Sequence, residues 1–168
     1  MLSPSRSEGR HAYGRPVAAG NLAELPGWAL DLLRDERVGH LGLLDDQDRP
    51  RVLPVTFALA GNRLYIAVDE KPKRVPGEQL ARIRYLRRRS CAALTVDHYD
   101  EDWSTLAWVQ VLGTVQVLDD PSAQPNALAA LRSKYQPYRD RPPDGPLLQL
   151  TPTRALHWRA NTATWGGS

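Results

Sequence analysis

The sequence predicts a mostly-β fold, a small antiparallel barrel of about six strands with about three peripheral helices. Its 168 residues suffice for one domain and are too few for two full ones. About six segments of strand length follow one another as hairpins, and only three segments have the apolar period of a helix. Because strands and helices do not alternate, the pattern argues against a doubly wound parallel sheet and favours a barrel.

The first twenty residues differ in composition from the rest of the chain. Residues 1–20 mix Ser, Gly, Pro and Arg without an apolar period, which is typical of a mobile arm. Asn21 and Glu24 have the spacing of a capping box, and the apolar residues that follow predict a first helix to about Arg37. We therefore expect a flexible arm, 1–20, and one folded domain, 21–168.

Three strands are predicted in the first half of this domain. They are Val38–Leu44, Val52–Leu59 and Leu64–Val68, with a hairpin turn at Gly61-Asn62 between the last two. Pro54 has no N–H group to donate, so the second strand needs a bulge or an edge position at that residue.

In the second half of the domain, segments with the alternating pattern of a strand and segments with the period of a helix follow one another less regularly. The predicted elements, in order, are a helix at Gly77–Arg89, strands at Cys91–Val96 and Leu106–Leu118, a helix at Pro121–Tyr135, a Pro-rich loop at Tyr138–Pro146, and short strands at Leu147–Leu150 and Ala155–Arg159. Gly113 marks a possible kink in the longest strand.

The positive charge of the chain is concentrated in one segment. The whole protein has a net charge of +3, whereas Glu70–Arg89 holds eight Lys and Arg against two Glu. Local basicity of this kind suits a protein that binds a discrete anion. Lys71, Lys73 and Arg74 directly follow a predicted strand, and converging Lys and Arg donors are the groups that hold a phosphate. The alternative is a solvated basic turn, and the residues alone leave both open.

Recognised catalytic motifs are missing. The sequence has no Walker A, dinucleotide-binding, nucleophile-elbow or zinc-protease pattern, which favours an enzyme that borrows its reactivity from a cofactor. The single cysteine, Cys91, excludes an internal disulfide, and we expect it to be buried. The acidic stretch Asp97–Asp102 does not match a known metal loop, so we expect no metal. Because there is no membrane-length apolar run and no secretory signal, we expect a cytoplasmic protein without a membrane partner.

Five stretches, in this order along the chain, carry a family resemblance: Arg51–Phe57, Leu64–Arg74, Leu80–Arg84, Thr95–Trp103 and Trp108–Val115. Together they resemble the pyridoxamine 5′-phosphate oxidase-like split β-barrel superfamily, and most closely its branch that uses the deazaflavin coenzyme F-420. The resemblance covers about Pro26 to Ala160.

This resemblance implies a homodimer with a cofactor in each of two clefts between the subunits. In the superfamily, an Arg at the start of the second strand and basic residues after the third hold the cofactor phosphate. The matching positions here are Arg51, Lys71 and Lys73, with Arg74 adjacent. The main chain that flanks the cofactor ring corresponds to Pro54, Val55, Thr56 and Phe57 on one strand and to Ala67, Val68 and Asp69 on the next.

The chain also departs from the true oxidase. Thr56 stands where the oxidase has a Lys, Trp108 stands where it has a Gln that meets the flavin, and its vitamer-binding arginine motif has no clear counterpart. These departures argue against pyridoxamine phosphate oxidation and favour a coenzyme other than FMN. F-420 carries a phosphodiester and an oligoglutamate tail.

A helix face with several arginines would attract that anionic tail. The arginines expected on this face are Arg82, Arg84, Arg88 and Arg89. The alternative is that the same face is merely solvated.

We therefore expect an F-420-dependent oxidoreductase that transfers a hydride between the deazaflavin ring and a small organic acceptor. No catalytic side chain is assigned. The alternatives are an FMN-dependent oxidoreductase and a non-catalytic flavin-, deazaflavin- or haem-binding protein. We do not expect nucleic-acid binding, because the chain outside the basic segment is net acidic.

Overall fold

The computed structural model describes residues 15–68 and 76–160, with side chains in the first helical turn after the gap (76–80) not described. The helices in this part of the chain are α1 (Gly27–Asp35), α2 (Pro76–Arg88), α3 (Pro125–Lys134) and α4 (Gln136–Asp140). The strands are β1 (Val17–Ala19), β2 (Gly39–Leu44), β3 (Pro50–Val55), β4 (Phe57–Ala60), β5 (Arg63–Ala67), β6 (Cys91–His98), β7 (Ala107–Leu118) and β8 (Leu147–Arg159).

All eight strands belong to one antiparallel sheet that curls on itself. The strand order is β3-β2-β6-β7-β8-β5-β4, with β1 beside β8. β3 and β4 occupy opposite edges, yet only Thr56 separates them in sequence. Strands lie ~4.8 Å apart, so a flat sheet of this order would hold the two edges ~29 Å apart, far beyond the reach of one residue. The sheet therefore closes into an antiparallel split barrel, and we call residues Val55–Phe57, where its edges meet, the seam.

The barrel interior is a continuous apolar core. Its fully buried members include Leu41, Phe57, Leu64, Ile66, Leu94 and Val109. α1 contributes Ala29 and Leu33 to this core, and α2 contributes Ile83 and Leu86. Full burial of an apolar side chain of this size stabilises the fold by about 2 kcal/mol, so both helices are held mainly by their apolar faces.

A second apolar cluster attaches α3 and α4 to the outside of the barrel. Leu131, Tyr135 and Tyr138 from these helices pack against Ala58 and Tyr65 of β4 and β5. The outer side of β4 and β5 is therefore covered within the subunit.

The outer side of β2, β3, β6 and the first half of β7 is different, and we call it the open face. Its apolar side chains Leu44, Val52, Ala93 and Leu112 belong to neither apolar cluster. Val52 is 67% exposed.

The local turn and kink predictions are confirmed. Gly61 begins the β4–β5 turn with a φ of 59°, a conformation that glycine adopts without steric cost. The register of β7 against β8 shifts between Leu112 and Gly113. A Cβ on Gly113 would lie 2.1 Å from the Thr151 carbonyl oxygen, so this bulge requires glycine. Pro54 lies in β3, an edge strand of the sheet, where a missing N–H is tolerated.

Several element boundaries differ from the prediction. The strand predicted at Val52–Leu59 divides at Thr56, and the two short strands predicted after residue 146 form one strand, β8. The capping-box residues Asn21 and Glu24 cap a short 3-10 turn, and α1 begins only at Gly27. The described residues contain eight strands instead of about six and four helices instead of about three.

Two further elements form in segments expected to be irregular. β1 lies within the range expected to be an arm and pairs with Ala155–His157 of β8, whereas residues 1–14 lie outside the described residues. α4 occupies the start of the predicted Pro-rich loop. Both elements depend on tertiary contacts, since β1 contributes Ala19 and α4 contributes Tyr138 to the apolar clusters.

None of the helices in the described ranges combines the length and apolar character needed to cross a membrane.

Candidate functional site

Arg51 lies at the end of the barrel that α2 covers. It is exposed on β3, opposite Leu43 of β2, and lines a cavity of about 70 Å³. We call this the Arg51 cavity. The other described residues that line it are Leu43, Leu53, Ala81, Arg82 and Tyr85.

The turn before Arg51 is rigidly built. Asp45 is buried and its carboxylate accepts hydrogen bonds from the backbone N–H groups of Gln47 and Arg49 and from the Arg49 guanidinium, at 2.9, 3.0 and 2.9 Å respectively. Burial acts to raise the pKa of Asp45, but these hydrogen bonds outweigh it and hold the pKa below its ordinary value. An ionised carboxylate thus fixes the start of β3, and with it the position of Arg51.

The seam lies at the opposite end of β3, beside α1. The Tyr135 hydroxyl accepts a hydrogen bond from Phe57 N at 3.0 Å and lies 2.8 Å from Arg37 O and 3.1 Å from Phe57 O. Thr56 Oγ1 lies 2.8 Å from the Tyr138 hydroxyl. Burial raises the pKa of Tyr135, so its hydroxyl stays protonated at neutral pH. The Thr56 hydroxyl and the backbone N–H and C=O of Phe57 are therefore bonded within the subunit.

Lys134 also packs against the seam. Its Nζ lies 3.6 Å from the centre of the Phe57 ring and donates a hydrogen bond to Leu33 O at 3.0 Å. Burial, together with the charge of Arg37, lowers the pKa of Lys134 to about 8. The seam thus holds a cation on its aromatic side, and no feature of the sequence alone signalled it.

Ala67 and Val68, which the resemblance implies flank the cofactor ring, lie next to the seam. Phe57 pairs with Ile66, which places Ala67 beside Thr56 in the sheet. Both Ala67 and Val68 are buried, and Val68 N donates to Pro146 O at 3.1 Å. A Cβ on Gly145 would lie 2.3 Å from Val68 O, so the incoming strand approaches as closely as the backbone allows. The structure therefore places Ala67 and Val68 near Val55–Phe57, whereas Asp69 lies outside the described residues.

Their side chains offer little to a ligand from within one subunit. Val55 and Phe57 are buried in the core, Thr56 is bonded to Tyr138, and Pro54 is exposed on the outer side of the edge strand. Of the predicted phosphate ligands, Arg51 lies in the described region, whereas Lys71, Lys73 and Arg74 lie outside it, as does Asp69.

Trp108 is not close to Arg51 within the subunit. It pairs with Asp97 of β6, and this pair lies toward the same end of the strands as the seam. Arg51 lies five residues before Thr56, or ~17 Å along an extended strand, and β3 is separated from β7 by two further strands. Within one subunit, therefore, Trp108 is not among the described residues that line the Arg51 cavity.

A larger groove lies beside α1, near Trp108 and far from Arg51. It has a volume of about 820 Å³, and Trp28, Trp158, His157 and Arg159 contribute to its lining. The Trp28 ring meets the His157 ring edge-on at 5.5 Å, and the Arg159 guanidinium carbon lies 5.2 Å from the centre of the Trp28 ring. Burial lowers the pKa of His157, which favours the neutral imidazole. The aromatic surface of Trp28 is thus largely covered by groups of the same chain.

The exposed arginines of α2 and the adjacent Arg89 are paired with acidic residues or carbonyl groups, an arrangement that neither the tail-binding nor the solvated alternative of the sequence analysis included. Arg84 donates two hydrogen bonds to Asp46 Oδ2, at 3.0 and 2.7 Å, and Arg88 donates to the Asp46 carbonyl. Arg89 pairs with Asp48 at 2.9 Å. Arg87 pairs in the same way with Asp119 at 2.6 Å. Aspartates from neighbouring turns partly neutralise this face, and the electrostatic argument for an anionic tail on it is lost.

Arg82 differs from the other described arginines of α2, and the sequence analysis placed it wrongly on the exposed face. It is half-buried and reaches the Arg51 cavity. Arg82 precedes Tyr85 by three residues and Leu86 by four, spacings that place it on the flank of the apolar stripe. Arg84 flanks the same stripe four residues after Leu80, so this spacing alone does not separate Arg82 from Arg84.

The structure also describes Cys91 and the acidic stretch Asp97–Asp102. Cys91 was expected to be buried, but it is exposed, because it points outward from the first position of β6. Within the acidic stretch, Asp102 caps the short 3-10 turn after β6 by accepting a hydrogen bond from Ser104 N at 3.0 Å, and Asp97 lies 3.5 Å from His40. No three His, Cys, Asp or Glu side chains converge on a point within the described ranges.

Comparison with solved structures shows the same fold in proteins of low sequence identity. A conserved hypothetical protein from Mycobacterium tuberculosis superposes with a TM-score of 0.64 at 16% identity, covering 89% of this chain and 96% of that one. An FAD-binding protein from Mesorhizobium loti superposes with a TM-score of 0.60 at 19% identity, covering 82% of this chain and 96% of that one. A heme binding protein from Mycobacterium smegmatis superposes with a TM-score of 0.62 at 17% identity, covering 82% of this chain and 56% of that one.

Comparison with curated protein sequences gives no match. The family model described as pyridoxamine 5′-phosphate oxidase matches residues 28–159, which is most of the chain and includes the seam, Arg51 and Arg82. Since the match spans well over half of the sequence and the fold agrees with it, this chain belongs to the pyridoxamine 5′-phosphate oxidase family of split β-barrels.

Proposed function

We propose that the protein is an oxidoreductase that binds a phosphate-bearing flavin-type cofactor, coenzyme F-420 by sequence resemblance, and transfers a hydride to or from a small organic acceptor. The cofactor supplies the redox chemistry, and this chain binds it, orients it and excludes water. The observation that carries the proposal is Arg51, which sits on a fixed strand beside a cavity of phosphate-group size in a chain of this family.

The chemistry of the Arg51 cavity fits such a cofactor. Its walls from Leu43, Leu53 and Ala81 are apolar, and Arg51 and Arg82 supply guanidinium groups. Guanidinium groups bind phosphate oxygens through paired, charge-assisted hydrogen bonds. Lys71, Lys73 and Arg74 remain the predicted additional phosphate ligands.

We further propose that the cofactor lies between two copies of the chain packed through the open face. Val52 is 67% exposed on β3, the edge strand of this face, and Leu44, Ala93 and Leu112 extend the apolar surface across β2, β6 and β7. The strand positions on this face carry few charges, with Asp97 and His40 paired at one end, and a low charge density is typical of an interface core. A second subunit would also supply the Trp108 that one subunit keeps away from Arg51.

FMN is the second candidate cofactor. The aspartate pairing of Arg84, Arg87 and Arg89 leaves little reason for an oligoglutamate tail at that face. A third candidate is a non-catalytic carrier, since the titratable groups described at the seam, Lys134 and Tyr135, are hydrogen-bonded within the subunit. The heme binding protein among the structural neighbours makes haem a ligand to include in the same test.

Side-by-side titration of the purified protein with F-420, FMN and haem, followed by tryptophan fluorescence, tests these candidates. We expect saturable binding of F-420 at micromolar concentration and faster oxidation of its reduced form with an acceptor from a panel of quinones, enones and tetrapyrroles. Preferential FMN binding would replace F-420 by FMN in the proposal. Tight binding with no acceptor turnover would make the protein a carrier, and binding of none of the three would overturn the proposal.

The Arg51→Met variant links the binding to the site. Loss of one charge-assisted contact to phosphate should weaken cofactor binding by about ten- to a hundredfold and leave thermal unfolding unchanged, because Arg51 is exposed. Arg63→Met changes another exposed arginine, at the start of β5 near the opposite edge of the sheet; it is the matched control and should bind like the wild type.

A further inference from the structure

We infer that the groove beside α1, which we call the α1 groove, is a second ligand site that takes an elongated organic monocarboxylate with an apolar body. Arg15 and Arg159 hold the carboxylate at one end of the groove. This inference goes beyond the proposed function and does not depend on it, because the α1 groove and the Arg51 cavity share none of their described lining residues.

The first argument is the size and direction of the groove. Its volume of about 820 Å³ falls within the range of about 300–1,000 Å³ that is typical of small-molecule pockets. Trp28, Leu32 and Asp35 line it, and their spacing of four and three residues places them in a row along one side of α1. Trp28 and Asp35 are seven residues apart, or ~10 Å along the helix axis. The groove therefore has a long direction, which suits an elongated ligand.

The second argument is a pair of arginines at the end nearest Trp28. Val17 of β1 pairs with His157 of β8, and continuing this antiparallel register by two residues places Arg15 opposite Arg159. Both arginines line the groove, and neither forms an ion pair within the described residues. Like charges opposite each other on neighbouring strands repel. An anion bound between the two guanidinium groups removes this repulsion.

Arg159 is already positioned for this role. Its guanidinium carbon lies 5.2 Å from the centre of the Trp28 ring. A contact with the face of an aromatic ring leaves guanidinium N–H groups for the paired hydrogen bonds that a carboxylate accepts. Because the ring holds the guanidinium in place, less side-chain freedom is lost when an anion binds.

The third argument is the apolar surface along the groove. Val17, Leu32, Leu106 and Trp158 contribute to its lining, and Val17 is 56% exposed. A ligand with an apolar body removes part of this surface from water, which favours binding. A small inorganic anion would reach the arginines but would leave this surface exposed, so the groove suits an organic acid better.

The far end of the groove is acidic and limits the ligand to one carboxylate. Asp35 and Glu36 line this end, and Glu36 Oε1 lies 3.0 Å from His98 Nδ1. Asp35 forms no ion pair within the described residues. A second negative charge on the ligand would lie near these carboxylates and would be repelled. We therefore expect a monocarboxylate to bind more tightly than a dicarboxylate of the same length.

Calorimetric titration of the purified full chain with three rigid probes tests this inference. The probes are biphenyl-4-carboxylate, the neutral biphenyl-4-carboxamide and biphenyl-4,4′-dicarboxylate, which share one apolar body and differ in charge. We expect saturable binding of the monocarboxylate. The carboxamide should bind about tenfold more weakly or worse, because it lacks the charge that the arginines attract. The dicarboxylate should also bind more weakly than the monocarboxylate.

Variants assign these differences to the two ends of the groove. Arg159→Met keeps an apolar side chain beside Trp28 and should weaken monocarboxylate binding by about ten- to a hundredfold, with the carboxamide within twofold. Arg154→Met changes another exposed arginine of β8, outside the groove lining; it is the matched control and should leave all three affinities unchanged. Asp35→Asn should strengthen dicarboxylate binding and leave the monocarboxylate within twofold.

Thermal unfolding of each variant shows whether it folds, and Arg15→Met provides the same test if Arg159→Met does not. A folded arginine variant that kept the wild-type preference for the monocarboxylate over the carboxamide would overturn the inference. It would also be overturned if the wild type bound the two probes equally or failed to bind the monocarboxylate. None of these results would affect the proposed function, which the F-420, FMN and haem titrations test separately.

Discussion

The two ends of β3 both carry polar groups, but they use them differently. At the seam, the backbone of Phe57 and the side chain of Thr56 are bonded to Tyr135 and Tyr138 of the same subunit. At the other end, Arg51 is exposed beside a small cavity that α2 also lines. The seam therefore holds the barrel closed, and the Arg51 end is the one that offers unburied charge to a ligand.

This comparison separates stability from binding along a single strand. Substitutions at the seam should lower the free energy of unfolding, and substitutions at the Arg51 end should change ligand affinity. A seam variant that changed ligand affinity, or an Arg51-end variant that changed the free energy of unfolding, would show that the two ends are not independent.

The largest effect is expected for Tyr135→Phe. The variant leaves the buried Phe57 N–H without its acceptor, and loss of a buried hydrogen-bonding partner costs about 2–3 kcal/mol. Urea denaturation measures this loss. Tyr99→Phe is the control because Tyr99 is 68% exposed, and it should leave the unfolding free energy unchanged. Equal stability of Tyr135→Phe and wild type would show that Tyr135 does not hold the seam.

An intermediate effect is expected from the titration of Lys134. Its pKa is lowered to about 8 in the folded protein, against an ordinary value of 10.5, so the folded state releases the Lys134 proton more readily than the unfolded state. The unfolded state binds more protons between these two values, and stability should therefore rise with pH from about 8 to 10.5. Allowing for partial exposure of the ammonium, we expect a gain of about 1–2 kcal/mol.

Urea denaturation at a series of pH values, for the wild type and Lys134→Met, isolates this contribution. The difference in unfolding free energy, wild type minus variant, should grow as the pH rises through this window. Other groups that titrate in the same range contribute equally to both proteins and cancel. A difference that stays constant with pH would mean that Lys134 keeps an ordinary pKa despite its contacts with Phe57 and Leu33 O.

The smallest effect is expected for the paired arginines of α2. Asp46→Asn removes the charged partner of Arg84 and should change stability by less than about 1 kcal/mol, because exposed ion pairs contribute little and salt screens them. Cofactor affinity should stay within twofold of the wild type. A tighter affinity for F-420 in this variant would show that the freed arginines can bind the anionic tail after all.

Local sequence signals predicted the features that depend on one or two residues. The Gly61-Asn62 turn, the edge position of Pro54 and the irregularity at Gly113 each follow from the backbone properties of Gly or Pro and are present in the structure. The helix face of α2 was predicted less well, because its helical period does not say which flank residue, Arg82 or Arg84, turns toward the barrel.

Contacts between distant segments could not be predicted in this way. Tyr135 is 78 residues from Phe57 along the chain, and Arg84 is 38 residues from Asp46. No periodicity within either segment specifies its partner. For the same reason, the sequence predicted one continuous strand across Thr56. The division into β3 and β4 depends on their different partners, β2 and β5, which are distant from each other in sequence.

The sequence alone determined the fold class, the family resemblance and the presence of an arginine at the start of the second predicted strand, because these depend on residue type and local period. The tertiary structure decided which positive charges remain available to a ligand. Charge counts add along a chain, but the field at a site depends on the distances to opposite charges, and those are set by packing between segments far apart in sequence.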